Sequence, residues 1–169
     1  LFARLEERCA GTGRQRAICA CLSEARGRSV EFNVASNDGK SSSLLGLGRH
    51  ADAYPDVKYS DTVTLQTDTL DGLLEEAVLP EEIEFAVIDV QGAELLVLRG
   101  ADRFLSSNAL MGLSIEVSVV PLYEGGASFV EVCSLLEEYG FYPREAVFNR
   151  NGWCDALFFR EWWHDRPEL

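Results

Sequence analysis

Cations are scarce in this chain. Its 15 Lys and Arg stand against 28 Asp and Glu, a formal net charge of −13. Binding to a phosphate backbone depends on clustered Lys and Arg, so the shortage argues against nucleic acid as a partner. The carboxylate excess repels anionic membrane surfaces and favours solubility. Long hydrophobic runs are missing too: no stretch approaches the roughly 18 apolar residues that a bilayer-spanning helix needs. Charges in Leu1-Phe2-Ala3-Arg4-Leu5-Glu6-Glu7-Arg8 interrupt any signal-peptide core. The histidines, His50 and His164, lie far in sequence from every cysteine, which speaks against zinc. The cysteines, Cys9, Cys19, Cys21, Cys133 and Cys154, are odd in number and form no C-x-x-C pair. They read as reduced, mostly buried thiols of a cytoplasmic protein. The chain does not begin with methionine, which raises the expectation of a piece of something longer.

What is present is an ordinary globular composition. With 169 residues and 47% apolar content, residues 1–169 are expected to form one domain with a substantial core. Glu75-Glu76 and Glu81-Glu82-x-Glu84 read as solvated faces. A helix end and the glycine loop Gly11-Thr12-Gly13 open the chain. The spacing then predicts a short central strand over 16–22, a strand over 29–35 with Val30, Phe32 and Val34 alternating, and an irregular loop or lid over 40–60. A strand over 62–67 follows. Asp68 is placed to cap a helix whose face carries Leu70, Leu73, Leu74 and Ala77. A buried strand over 111–119 contains Glu116. Ser128-Phe129-Val130-Glu131 is a capping box for a helix that Gly140 ends. Two last strands, 143–148 and 154–160, flank the turn Asn149-Arg150-Asn151-Gly152. Strands alternating with helices and closing on a hairpin describe an α/β fold: a mostly parallel sheet with one antiparallel edge.

The segment most informative about function is Ile88-Asp89-Val90-Gln91-Gly92-Ala93-Glu94. It follows the apolar run Phe85-Ala86-Val87 and leads into the helical pattern Leu95 to Arg99, with Gly100 as the stop. A buried parallel strand feeding a helix is the reading, and ligands of open α/β sheets bind at the carboxyl ends of such strands. Asp89 and Glu94 therefore fall at a ligand edge. Each also has a purely structural explanation: Asp is a favoured N-cap, and a glutamate in the first helical turn is favoured by the helix dipole.

These residues, continued by Val97-Leu98-Arg99-Gly100-Ala101, closely resemble the "DvEGaE…vLkGa" signature of the FkbM family of methyltransferases. Ala20-Cys21-Leu22-Ser23-Glu24 resembles that family's "ALSD" strand end, Ser42-Ser43-Leu44 its serine pair, and Thr69-Leu70-Asp71 its "tLD" element. Glu116-Val117 and Asp155-Ala156-Leu157-Phe158 complete a series that covers roughly residues 16–160. The resemblance implies a Rossmann-like class I sheet, S-adenosylmethionine as cofactor, and transfer of a methyl group to a hydroxyl of a small molecule or sugar. The Gly-rich turn and the acidic second-strand end of that family have no counterpart here. The expectation is thus the C-terminal two-thirds of the domain, with the N-terminal cofactor-binding strands missing.

The same resemblance implies roles. Asp89, Glu94 and Glu116 are the catalytic candidates, with Asp89 foremost. Ala20, Cys21, Leu22 and Asp89 would line the cofactor; Ser42, Ser43 and Gln91 the substrate. Gln91 replaces a glutamate and can only hydrogen-bond. The three carboxylates form an oxygen-rich set of the kind Mg²⁺ takes, but metal-free chemistry fits equally well and no metal ligand is assigned. His50 is a weaker candidate base. Trp153, Trp162 and Trp163 read as packing or an interface. The competing reading is a degenerate, non-catalytic module for interaction or oligomerisation, and an open sheet edge at 16–22 would pair with another chain.

Overall fold

A computed structural model of the chain describes residues 2–12, 14–80 and 82–161. Gly13, Glu81, Trp162, Trp163 and His164, all singled out from the sequence, lie outside the described residues. The elements run α1 (Phe2–Ala10), β1 (Cys21–Leu22), β2 (Ser29–Ala35), α2 (His50–Ala53), β3 (Tyr59–Asp68), α3 (Leu70–Glu75), β4 (Phe85–Ile88), α4 (Glu94–Arg99), α5 (Asp102–Ser106), β5 (Gly112–Ser118), α6 (Phe129–Glu138), β6 (Phe141–Glu145) and β7 (Trp153–Arg160). No described helix is long and apolar enough to cross a membrane.

The α/β class expected from the sequence is present, but the mostly parallel sheet is not. The described strands form two sheets, ordered β1-β3-β2 and β4-β5-β7-β6. Only β1 with β3 and β4 with β5 pair in parallel. β2 with β3, β5 with β7 and β6 with β7 are antiparallel. The closing hairpin does form an antiparallel edge, as expected. β7 inserts between β5 and β6, so β5 gains an antiparallel neighbour along its whole length and β6 becomes the rim.

Local physics explains other departures. The expected central strand over 16–22 shrinks to Cys21–Leu22 and pairs on one side only. Cys19 falls outside it and is exposed, whereas Cys9 and Cys154 are buried as free thiols. The loop over 40–60 is partly ordered: it holds α2, and Ser43 bridges to Asn33 as Gly46 does to Glu124. Asp68 ends β3, and Thr69 caps α3 by accepting the Gly72 N–H at 2.9 Å. The capping box at Ser128 and Glu131 is formed as expected.

The core lies beneath the four-stranded sheet. Leu113, Ile115 and Val117 of β5 pack with Val97 and Leu98 of α4, Phe104 and Leu105 of α5, and Val132 and Leu136 of α6. Ala156 and Phe158 of β7 close it from the neighbouring strand. β4 departs from the fully buried strand that its composition predicts: Phe85 is 43% exposed and Val87 71%. Its far edge has no partner strand among the described residues, so one face of each stays open.

Candidate active site

β4 stops at Ile88, and the next five residues make a tight turn into α4. Gln91 and Gly92 both take left-handed backbone angles, φ 55° and 94°. A Cβ on Gly92 would sit 2.6 Å from the Tyr123 side chain, so glycine is required on two counts. Ala93, not Asp89, occupies the N-cap of α4 and supplies no side-chain bond. Glu94, the first residue of the helix, instead binds back to the turn before it. It is only 6% exposed, and its Oε1 accepts the N–H groups of Val90 at 3.0 Å and Gly92 at 3.1 Å. The helix-capping explanation for Asp89 therefore fails, whereas Glu94 has a structural task that folds the turn upon itself.

Asp89 is left exposed at the mouth of the turn, its Oδ1 accepting from the Gln91 side-chain amide. The Gln91 carbonyl oxygen in turn accepts the Tyr123 hydroxyl at 2.8 Å. Ser43 donates to the Gln91 backbone carbonyl at 2.8 Å and accepts from the Leu45 N–H. Ser43, expected from the sequence at the substrate, is fully buried in that strap and lines neither of the two cavities at Asp89. Ser42 does line a cavity, though its Oγ is also engaged by the Ala35 N–H at 3.0 Å.

Glu116 projects from the middle of β5 toward the same turn. Carboxylate oxygens of Asp89, Glu94 and Glu116 lie within 4.8 Å of one another. Burial, and then the charges of Asp89, Glu94 and Asp155, push the Glu116 carboxyl up to about 8, against the pull of the Gln91 amide. Burial also raises the Glu94 carboxyl. The donor set is of the kind Mg²⁺ takes. One oxygen each of Asp89 and Glu94 is already held by N–H donors, and no catalytic step is routed through a metal.

Two cavities meet at Asp89. One, of about 440 Å³, is walled by Ala20, Cys21 and Leu22 at the end of β1, by Phe32 and Val34 of β2, and by Ser42. The other, of about 410 Å³, is bounded by His50, Tyr54, Glu116, Leu122 and Trp153. Lys40, Asp89 and Gln91 line both. Each volume falls within the roughly 300–1,000 Å³ of small-molecule sites. The first is largely apolar. Among the described residues that line it, Gly39 is the one glycine and Asp89 the one acid, so none of them forms a Gly-rich turn or a separate ribose-binding carboxylate.

The structure thus brings Ala20, Cys21, Leu22, Ser42, Asp89, Gln91 and Glu116 to one junction. Sequence reasoning missed Lys40, Tyr54 and Tyr123 and assigned Trp153 to packing. Trp153 donates from Nε1 to the Tyr54 hydroxyl at 3.0 Å and lines the second cavity. None of these sits in a motif; for Lys40 and Tyr54 the available signal was that 40–60 is too long to be an idle loop, and Tyr123 and Trp153 lie outside it.

The model of the family described as "Methyltransferase FkbM domain" matches residues 4–143. No curated protein and no solved structure gave a match.

Proposed function

Since the chain belongs to the FkbM methyltransferase family, we propose that its Asp89-centred cleft transfers the methyl group of S-adenosylmethionine to a hydroxyl of a small molecule or sugar. The observation that carries this reading is the pair of cavities sharing Lys40, Asp89 and Gln91 as their common wall. In-line displacement needs donor and acceptor held on opposite sides of one point, and two pockets meeting at a carboxylate supply that arrangement.

The apolar cavity at the end of β1 would hold the cofactor, whose sulfonium supplies an electrophilic methyl group when bound. Ala20, Cys21 and Leu22 contribute its wall. The acceptor would occupy the cavity of Tyr54, Trp153 and Glu116. Asp89 accepts a hydrogen bond from the acceptor hydroxyl and orients it. The acceptor hydroxyl would give up its proton to a carboxylate of this chain. Glu116 suits that task, since burial and crowding make its carboxylate more basic than an ordinary glutamate. Glu94 touches neither pocket and holds the turn.

Calorimetry with S-adenosylhomocysteine and transfer of labelled methyl to a panel of hydroxyl compounds test this. Asp89→Asn is expected to lower turnover about 100-fold, the scale of a misoriented acceptor. The active form of Glu116 is the carboxylate, so kcat/KM should climb with pH and level off above about 8. Glu116→Gln should remove that climb. Unchanged turnover in Asp89→Asn, or no binding heat at high protein concentration, would overturn the assignment; the latter favours the non-catalytic module.

A further inference from the structure

Tyr54 caps the end of α2 and lines the acceptor cavity but not the cofactor cavity. Its neighbours hold it from three sides. The ring packs against that of buried His50, with centroids 4.8 Å apart. Its backbone N–H donates to the His50 carbonyl at 2.8 Å. The phenol oxygen accepts from Trp153 Nε1 at 3.0 Å and from Asn151 Nδ2 at 3.1 Å.

A phenol oxygen offers lone pairs and one proton. Two N–H donors already occupy the accepting side, so the proton is what Tyr54 has left to give. None of the described residues accepts it. The other donor side chains that line this cavity alone are engaged. Asn37 Nδ2 donates to Ser41 Oγ at 3.0 Å, and that oxygen lies 3.2 Å from His50 Nε2. The Trp153 N–H is spent on Tyr54 itself. A ligand in this cavity thus meets an accepting carboxylate at Asp89 and a donor at Tyr54, with Val57 and Leu122 as apolar wall.

We infer that Tyr54 sets acceptor specificity: its hydroxyl donates to a second oxygen of the acceptor, while the hydroxyl to be methylated donates to Asp89. The acceptor class is then a compound bearing at least two oxygens, a polyol or a sugar ring, and not an isolated alcohol. A site that presents such a donor rejects the analogue lacking the matching oxygen, because the donor is left unpaired. The role in turnover rests on the methyl-transfer reading; the unspent proton of Tyr54 does not.

The full chain, with tyrosine labelled by ¹³C at the oxygen-bearing ring carbon, tests the proton directly. A hydroxyl held by the protein exchanges slowly, and in equal parts of H₂O and D₂O it splits this signal into two lines. The Tyr54 signal, identified by its loss in Tyr54→Phe, should be a single line. Turnover then compares methyl pyranosides of glucose, galactose and mannose with their monodeoxy analogues and with benzyl alcohol. The preferred glycoside should exceed benzyl alcohol at least about 10-fold in kcat/KM. Tyr54→Phe should raise KM for that glycoside about 10-fold, while KM for S-adenosylmethionine stays within about twofold. Asn151→Asp should do the same with the phenol still present, because its carboxylate captures the hydroxyl proton. Two lines in the wild type, unchanged KM for the glycoside in both variants, or benzyl alcohol as the better acceptor would overturn the assignment. If the wild-type chain methylates nothing, the methyl-transfer reading fails, and the exchange measurement still decides whether Tyr54 has a proton to offer.

Discussion

Three carboxylates converge on one turn, and the surroundings of each set its task. Glu94 is buried but accepts two backbone N–H groups, so its charge serves the fold. Asp89 is open to both cavities and steadied by an amide. Glu116 is the crowded one: none of the ion pairs among the described residues includes it, and its neighbours are acids. Its pKa is raised on folding, so the folded state binds the proton more tightly than the unfolded chain between about 4.5 and 8. Its contribution to stability is accordingly full below the lower value and lost as pH rises through the upper one. Glu116→Gln should therefore flatten the decline of stability across this window. At pH 8 the variant should be more stable than the wild type, on the order of 1 kcal/mol after allowance for solvent screening. Urea titrations at pH 5 and pH 8 measure it; an equal effect at both values would sink the explanation.

At the scale of elements, two residues distant in sequence tie short helices to the sheets. The Asp71 carboxylate accepts the N–H groups of Arg103 and Phe104, each at 2.9 Å, and so caps α5, whose own N-cap is Ala101. Arg160, at the end of β7, does the reverse task for carbonyls. Its guanidinium donates to Leu105, Ser107, Leu110 and Tyr139 at 2.6–3.0 Å and lies 4.4 Å above the Phe141 ring. It collects the orphan carbonyls at the ends of α5 and α6, where a cation is favoured in any case. Arg160→Leu should cost about 3 kcal/mol by leaving several acceptors unpaired. Arg160→Lys should recover little, since a single ammonium cannot span four carbonyls. Equilibrium unfolding of the two variants gives the comparison, and full recovery by lysine would show that charge alone matters. The capping box of α6 was legible in four consecutive residues, because its donors and acceptors are local. The Asp71 and Arg160 clamps were not, because their partners lie 21 to 55 residues away.

For the molecule as a whole, the open flank of β4 is the feature with consequences. Leu22, Leu70, Leu79, Ile83, Ile88 and Phe104 line an apolar groove of about 260 Å³ beside it, and Val87 stands exposed at its rim. The sequence placed the pairing-prone edge at residues 16–22. β1 is only two residues long, whereas β4 offers four residues with no partner strand on their far side among the described strands. The 169-residue chain should associate in a concentration-dependent way through this edge. Val87→Lys should suppress it by setting a charge where a partner strand would lie. Light scattering across a concentration series measures both; a monodisperse monomer at high concentration would refute the expectation.

The sequence by itself determined the family, the α/β class, the cap of α6 and the turn at Asp89. Each of these is written in neighbouring residues whose periodicity or hydrogen-bonding capacity is local. It also marked Asp89 and Glu116 as worth examining, since a carboxylate ending or interrupting an apolar strand needs a reason. Only the tertiary structure decided that β7 inserts between β5 and β6, because alternation of apolar residues specifies a strand and not its partner. The junction at Asp89 needed it as well. Lys40, Tyr54 and Tyr123 come from irregular segments and His50 from the single turn of α2, and what brings them to the turn is packing across distant parts of the chain.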